Sequence, residues 1–297
     1  MITLTGHTGN VWCVAAADDG HVLTGSYDKT VKVWRGDELV RTIEAHTDDV
    51  NAVAVLPGGA RFVSGSIDET AKLFTFGGEL ERTFEVGSPV RCAAALPDGV
   101  HFVVGLGCSN QNEHEFLLYH VDGTLVHAFV QHDFSIDYVQ ALAVTPDGQH
   151  IISGGDFGRV KVWSVATKSL VSTCAGHTNE VYAVAAMPDG KRILSGAFDK
   201  TVRVWLLNGN LKNTFRQLHT SYVRALVAMP DNQHALSGGS CGTVKLFNVN
   251  DGAVLRTFSN HTRDVNCLAL LPDGRRFVSA SDDETACIVE HGLAPFV

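Results

Sequence analysis

A valine that opens a short apolar strand, followed by a Pro-Asp-Gly-like turn, recurs seven times in this 297-residue chain, at Val11, Val50, Val90, Val139, Val181, Val223 and Val265. The spacings are 39, 40, 49, 42, 42 and 42 residues. In six copies the turn proline lies seven residues further on, at Pro57, Pro97, Pro146, Pro188, Pro230 and Pro272; the first copy has Ala17-Asp18-Asp19-Gly20 there. Seven residues beyond come Thr24, Ser64, Val104, Ser153, Ser195, Ser237 and Ser279. A register held through two strands in every copy marks an array of structural repeats, which overrides the two-domain expectation that length alone would set.

Each unit reads as four short strands. In the fifth copy these are Val181 to Ala186, Arg192 to Ser195, Thr201 to Trp205 and Leu211 to Phe215, separated by Gly, Asp, Asn and Pro. Such β-branched runs form antiparallel meanders, and no segment sustains a helical period. One four-stranded sheet cannot bury both its faces, whereas seven packed radially can, leaving only short protected edges. The expected fold is therefore all-β: a seven-bladed β-propeller of four-stranded antiparallel sheets, with residues 1–297 as a single domain. The last copy ends soon after its third strand (286–290), and Ile2-Thr3-Leu4 aligns with fourth strands such as Val40 to Ile43. The N-terminal strand is thus expected to complete the last blade and close the ring.

These units resemble the WD-repeat family over the whole chain. Gly6-His7 and Gly176-His177 match its Gly-His, with variants ending in His46, His132, His219 and His261. Trp34, Trp163 and Trp205 stand at its tryptophan, and Asp28, Asp68, Asp199 and Asp283 at its aspartate before the third strand. The full set survives in the first copy (His7, Thr24, Asp28, Trp34) and in the fifth (His177, Ser195, Asp199, Trp205). The resemblance implies that these side chains hydrogen-bond across the blade, each bond contributing about 0.5–1.5 kcal/mol. The third copy has Val86 for the histidine and no aspartate; Phe157 and Cys241 replace the aspartate in the fourth and sixth. Those blades must lean on packing.

Composition narrows the function. Apolar residues make up 45% of the chain and the net charge is −9, which suits a large core and argues against nucleic-acid backbone as the main ligand. No apolar run is long enough to span a bilayer, and no secretory signal opens the chain, so no membrane role is expected. Seven cysteines without a Cys-x-x-Cys, three of them in Val-x-Cys strands (Cys13, Cys92, Cys267), suit a reduced intracellular protein, cytoplasmic or nuclear. Gly238-Gly-Ser240-Cys-Gly242 fits the hydrolase pattern GxSxG but falls in a turn between strands, where the motif does not work. Cys108, Glu113 and His114 share one loop without zinc-ligand spacing, so neither metal nor cofactor is expected.

In the WD-repeat family, partners dock on the face where the loops into the first strand meet those joining the second and third strands. The corresponding slots hold Trp12, Tyr27, Asn51, Arg91, Tyr138, Gln140, Tyr182, Phe198, Tyr222, Arg224, Ser240 and Asn266, with Asp49, Asp156, Asp264 and Asp282. Four of the five tyrosines fall here, as does the one tryptophan outside the third strands. Tyr, Trp and Arg dominate interface energies. The expected binding residues are Trp12, Tyr27, Arg91, Tyr138, Tyr182, Phe198, Tyr222 and Arg224, with the aromatics forming an almost continuous arc around Arg224; the bland alternative is that they only pack on neighbouring loops. The third blade also carries five extra residues within 105–115, and the loop from Gln131 to Tyr138 is long. The resulting expectation is a non-enzymatic scaffold, a monomeric propeller within a complex, that binds a protein or peptide. A ubiquitin-binding propeller of the phospholipase-activating-protein type is a narrower version, and an enzyme using the central channel is a second alternative.

Overall fold

The computed structural model describes residues 1–107, 114–130 and 138–293. Each repeat folds on itself because its strands are joined by turns too short to reach any other partner. The first blade runs Val11–Ala16, His21–Ser26, Thr30–Arg35 and Glu38–Glu44, each strand antiparallel to the one before it. Six blades have this consecutive order. In the seventh, Val265–Leu270, Arg276–Ser281 and Ala286–Glu290 are completed by Ile2–Leu4, which pairs Ile2 with Ile288 and Leu4 with Ala286. The ring closes as the sequence leads one to expect.

First strands adjoin one another all the way round and therefore line the axis. Fourth strands such as Leu80–Glu85 and Val254–Phe258 lie outermost and are largely exposed. Between these limits the blades dock through one repeated contact. The marker valine of each first strand, fully or almost fully buried, presses on a glycine in the second strand of the preceding blade. A Cβ at Gly65 would lie 2.3 Å from Val90 Cγ1, one at Gly196 2.5 Å from Val223 Cγ1, and one at Gly238 2.7 Å from Val265 Cγ1. Gly25, Gly105 and Gly154 face Val50, Val139 and Val181 in the same way, and only the last blade, with Ala280 at this position, departs from the rule.

A second device ties each blade internally. In four blades a histidine Nδ1 meets an aspartate: His7–Asp28 at 2.7 Å, His46–Asp68 at 2.9 Å, His177–Asp199 at 2.8 Å and His261–Asp283 at 3.0 Å. Because a carboxylate only accepts, Nδ1–H donates, leaving Nε2 to accept from the hydroxyl of Thr24, Ser64, Ser195 or Ser279 at 2.7 Å. In the first and fifth blades that hydroxyl oxygen also accepts from Trp34 Nε1 at 2.9 Å or Trp205 Nε1 at 2.7 Å. The Asp199 side chain is 6% exposed. Thr30, Thr70, Thr201 and Thr285 donate to the other carboxylate oxygen. Burial alone would raise Asp68, but the bonds from Thr70, the Thr47 N–H and His46 bring it down to about 2.

Where the motif is degenerate, other contacts replace it. The third blade packs Phe102 and Tyr119 against each other and against Phe84 of the second blade's fourth strand. At its junction with the fourth, Phe116, Phe129 and Trp163 form a second ring cluster. Beside it Lys161 Nζ donates to Glu115 Oε1 at 2.5 Å, each side chain 5% exposed. This buried inter-blade ion pair has no counterpart in the repeat motif. In the sixth blade His219 keeps its bond to Ser237 Oγ at 2.8 Å, but its Nδ1 meets the Cys241 sulfur at 3.5 Å. Burial, with Lys245 nearby, pushes His219 down to about 4.

Two consequences are measurable. Gly196→Ala overpacks the joint between the fifth and sixth blades and should destabilise the protein by about 1–3 kcal/mol in urea unfolding. His219, with a folded pKa below the ordinary value of about 6.5, favours the native state fully above that pH and less as pH falls toward 4; the depressed aspartates act in the same direction from about pH 4 downward. The melting temperature should therefore be flat near pH 7 and fall on acidification. Cys241→Asp, which gives His219 and Thr243 the missing carboxylate, should raise stability at pH 7 by about 1 kcal/mol in urea unfolding.

Candidate functional site

One irregularity in the sheets builds the candidate site. In every blade the pairing of first and second strands skips one residue directly after the marker valine. Val11 faces Ser26 and Cys13 faces Gly25, so Trp12 is left out of the ladder. The residues skipped in the other blades are Asn51, Arg91, Gln140, Tyr182, Arg224 and Asn266. A bulge of this kind re-aims a side chain. All seven skipped residues line one cavity of about 280 Å³ at the axis of the propeller, with Cys13, Cys92 and Cys267 deeper in the lining.

The loop after each second strand is tied back to the same place. The Tyr27 N–H donates to Asn10 O at 3.0 Å, and Ile67, Gly107, Phe198, Ser240 and Asp282 repeat the bond to Asp49, Pro89, Glu180, Tyr222 and Asp264. The bulge side chain thus stands beside the loop residue 15 or 16 positions further on, and most blades pair the two. Trp12 stacks on Tyr27 with ring centroids 5.2 Å apart, and Tyr182 on Phe198 at 4.2 Å. Gln140 Nε2 donates to Asp156 Oδ1 at 3.0 Å, Arg224 Nε to Ser240 Oγ at 2.9 Å, and Asn266 Nδ2 to Asp282 Oδ1 at 2.7 Å.

Arg224 is the hub. Its guanidinium lies 5.5 Å from the ring centroids of Tyr182 and Phe198 and 5.7 Å from that of Trp12, and it pairs with Asp264 at 2.9 Å. Tyr222 stacks on the other face of the group, 4.2 Å from Phe198. The aromatic residues expected on this face therefore form two stacks joined through Arg224 rather than one continuous arc. Tyr138 is half-buried and makes no ring contact among the described residues. Nor are these rings freely exposed: Trp12, Tyr27, Tyr182 and Phe198 are half-buried, and only Tyr222, at 39%, is exposed. Mutual packing accounts for their burial. Burial, with Asp49 and Asp282 nearby, pushes Tyr27 up to about 12.

Ser240 of the GxSxG sequence sits in a turn between strands and accepts from Arg224. The six described cysteines are free thiols, and burial pushes Cys13, Cys92 and Cys267 up, which keeps them protonated and poorly nucleophilic. Among the described residues no three His, Cys, Asp or Glu side chains gather as a metal site. The Cys108 and Glu113 side chains, that of His114, and the loop 131–137 lie outside the described residues. Among those described, no helix is long and apolar enough to cross a membrane.

The family pattern described as WD domain, G-beta repeat, matches residues 1–35, 37–75, 123–164, 168–205, 209–248 and 252–289. The chain belongs to the WD40 family. The stretch between the second and third matches contains most of the third blade, which has neither the motif histidine nor the aspartate. Curated relatives include a WD repeat-containing protein WDS homolog of Arabidopsis thaliana, 29% identical over 175 residues (56% of this chain, 32% of that protein). Pre-mRNA-processing factor 19 homolog 2 of the same plant is 31% identical over 187 residues (61% and 27%). A eukaryotic translation initiation factor 3 subunit I of Culex quinquefasciatus is 28% identical over 170 residues (52% and 49%). The chain spans about half or less of the length of each.

Sequence reasoning located the slots of this WD40 rim but missed their pairing. An offset of 16 residues, from Gln140 to Asp156, Tyr182 to Phe198 and Arg224 to Ser240 (15 from Trp12 to Tyr27), was the signal available, and it would also have joined Arg91 to Gly107. Arg224→Ala removes three ring contacts and leaves Asp264 unpaired, so it should cost roughly 1–3 kcal/mol in urea unfolding. Arg224→Lys should recover only part of that loss, because an ammonium cannot reproduce the planar stack.

Proposed function

We propose that residues 1–297 act as one propeller unit, a non-enzymatic scaffold that holds a protein or peptide on the rim around the channel mouth. The observation that carries this reading is the grouping of Trp12, Tyr27, Tyr182, Phe198 and Tyr222 around Arg224 at the axial cavity. Rings already packed on one another lose little entropy when a partner covers them, which suits anchors of binding energy. The relatives' names, among them a subunit of a translation initiation factor and a G-protein β subunit, belong to multi-subunit assemblies and favour the same class. Free thiols fit an intracellular setting.

Neither alternative gains a specific support. The ubiquitin-binding version rests on strand sequences shared by the whole family. Catalysis would need a nucleophile with its acid and base, whereas the rim groups named above are engaged with one another and the channel thiols are protonated.

Tyr222 gives the cleanest test, because Phe198 lies between two rings and its truncation would also loosen the rim. A photo-crosslinking residue placed at Tyr222 should capture a discrete partner, and Tyr222→Ala should weaken binding of that partner about tenfold or more while shifting the melting temperature little. Undiminished binding by Tyr222→Ala and by Trp12→Ala would move the docking site off this rim.

A further inference from the structure

The rim pairing breaks down in two neighbouring blades, and the breakdown leaves polar groups without partners. Each of the other five blades gives its bulge residue a stacking or hydrogen-bonding mate from the loop after the second strand. In the second blade the mate is Ile67, which cannot bond Asn51; in the third it is Gly107, which has no side chain at all. Arg91, half-buried, consequently has no hydrogen-bond or ion-pair partner for its guanidinium among the described residues, and its Nε is both buried and unsatisfied. Asn51 is 4% exposed; its Nδ2 donates to Val90 O at 3.3 Å, but its Oδ1 accepts nothing. Arg91 and Asn51 are successive positions of the same cavity wall.

Leaving a buried polar group unpaired costs about 1–3 kcal/mol, and more when it is charged. A ligand that supplies the missing partners recovers that cost on binding. We infer that the channel mouth at Arg91 receives the carboxylate of an acidic side chain from a peptide segment lying on the rim, with Asn51 Oδ1 accepting an N–H of the same segment. This inference rests on the rim being the docking face and adds what chemistry it selects. Arg91 offers one unopposed positive charge, which matches a monoanion. Arg224 cannot share the task, since Asp264 already neutralises it. Asp156 accepts from Gln140, Asp282 accepts from Asn266, and Asp49 lies near Tyr27, so acidic side chains also stand on this rim. One guanidinium neutralises a carboxylate fully, whereas a phosphate dianion would leave an uncompensated charge in the half-buried cavity mouth, and its desolvation cost rises with the square of its charge. The cavity, about 280 Å³, is of side-chain rather than domain size.

Gly107 supplies a test that leaves Arg91 in place. A Cβ there would lie 3.2 Å from Arg91 Nε and 3.4 Å from Pro89 Cβ, a fit that the flexible arginine can relieve. Gly107→Asp would then give Arg91 an in-blade carboxylate, as Asp156 and Asp282 serve their own blades, and would compete with the ligand. A random heptapeptide display library is panned on the wild-type protein and on the Gly107→Asp, Arg91→Gln and Tyr222→Ala variants, each first checked for an unchanged circular dichroism spectrum. The wild type should select peptides with Asp or Glu beside an apolar residue. Gly107→Asp and Arg91→Gln should lose the acidic preference, and Tyr222→Ala should keep that preference at lower yield. Selected peptides resynthesised with Gln for Glu should bind about tenfold more weakly, a readout that does not depend on any variant folding.

The outcomes separate the two levels of argument. Peptides that need Tyr222 but show no acidic preference overturn the carboxylate site and leave the docking face standing. An acidic preference that survives both Gly107→Asp and Arg91→Gln also overturns it, as does tighter binding when phosphoserine replaces Glu. Failure of the wild type to select any peptide that depends on Tyr222 overturns the docking face and the carboxylate site together.

Discussion

Everything in this propeller depends on how closely the first strand of one blade can approach the second strand of the blade before it. With a valine on one side and a glycine on the other, the approach closes to a distance at which even a methyl group would overlap: 2.5 Å at the joint between the fifth and sixth blades. Interiors pack at crystal-like density and tolerate such overlap poorly. Radial closure multiplies the constraint, because an expansion at one joint has to be absorbed by the rest of a closed ring. That is why the valine keeps its identity in all seven copies while tryptophan, aspartate and histidine are each lost somewhere. The one alanine in a glycine position, Ala280, lies in the blade assembled from both ends of the chain, where the strand pairing of Ile2–Leu4 closes the ring.

The same reasoning explains how much of the fold could be read from the sequence. A contact that must be made identically seven times leaves an identical residue at a fixed spacing, so blade number, strand order and closure by the N-terminal strand were all legible. The aromatic cluster of Phe116, Phe129 and Trp163 and the buried Glu115–Lys161 pair were not. They occur once and join residues from two blades, so no periodicity marks them. The third blade forms a complete sheet although the repeat pattern passes over most of it, because ring packing among Phe84, Phe102 and Tyr119 replaces the motif without imitating it.

The rim was legible in composition and not in geometry. Counting tyrosines located the face, but a list of slots treats each residue as pointing outward by itself. The bulge after every marker valine turns these side chains toward the axis, where they meet the loop residue of their own blade before they meet solvent. Half-burial of Trp12, Tyr27, Tyr182 and Phe198 follows directly, as does the place of Arg224, whose charge is spread over three ring faces and one carboxylate. A sequence pattern cannot display a bulge, since the extra residue changes the pairing and not the spacing from one copy to the next.

Pairing within blades also decides where specificity can arise. A bulge residue already matched by its loop partner offers chiefly shape and apolar area to a partner, since most of its polar capacity is engaged; Asn266 Oδ1, which accepts nothing, is the exception. A bulge residue left unmatched keeps that capacity, and its buried, unsatisfied state raises the free energy of the empty form relative to the occupied one. In this ring the matched positions are aromatic, amide or neutralised arginine, whereas the unmatched ones, Asn51 and Arg91, are adjacent and polar. On the proposed reading the two kinds of position divide the work: the stacks around Arg224 would give a rigid apolar floor with little choice of ligand, and the unmatched pair would discriminate by charge. The glycine that creates this arrangement, Gly107, carries no functional group of its own. Its part is to withhold from Arg91 the partner that most other blades supply.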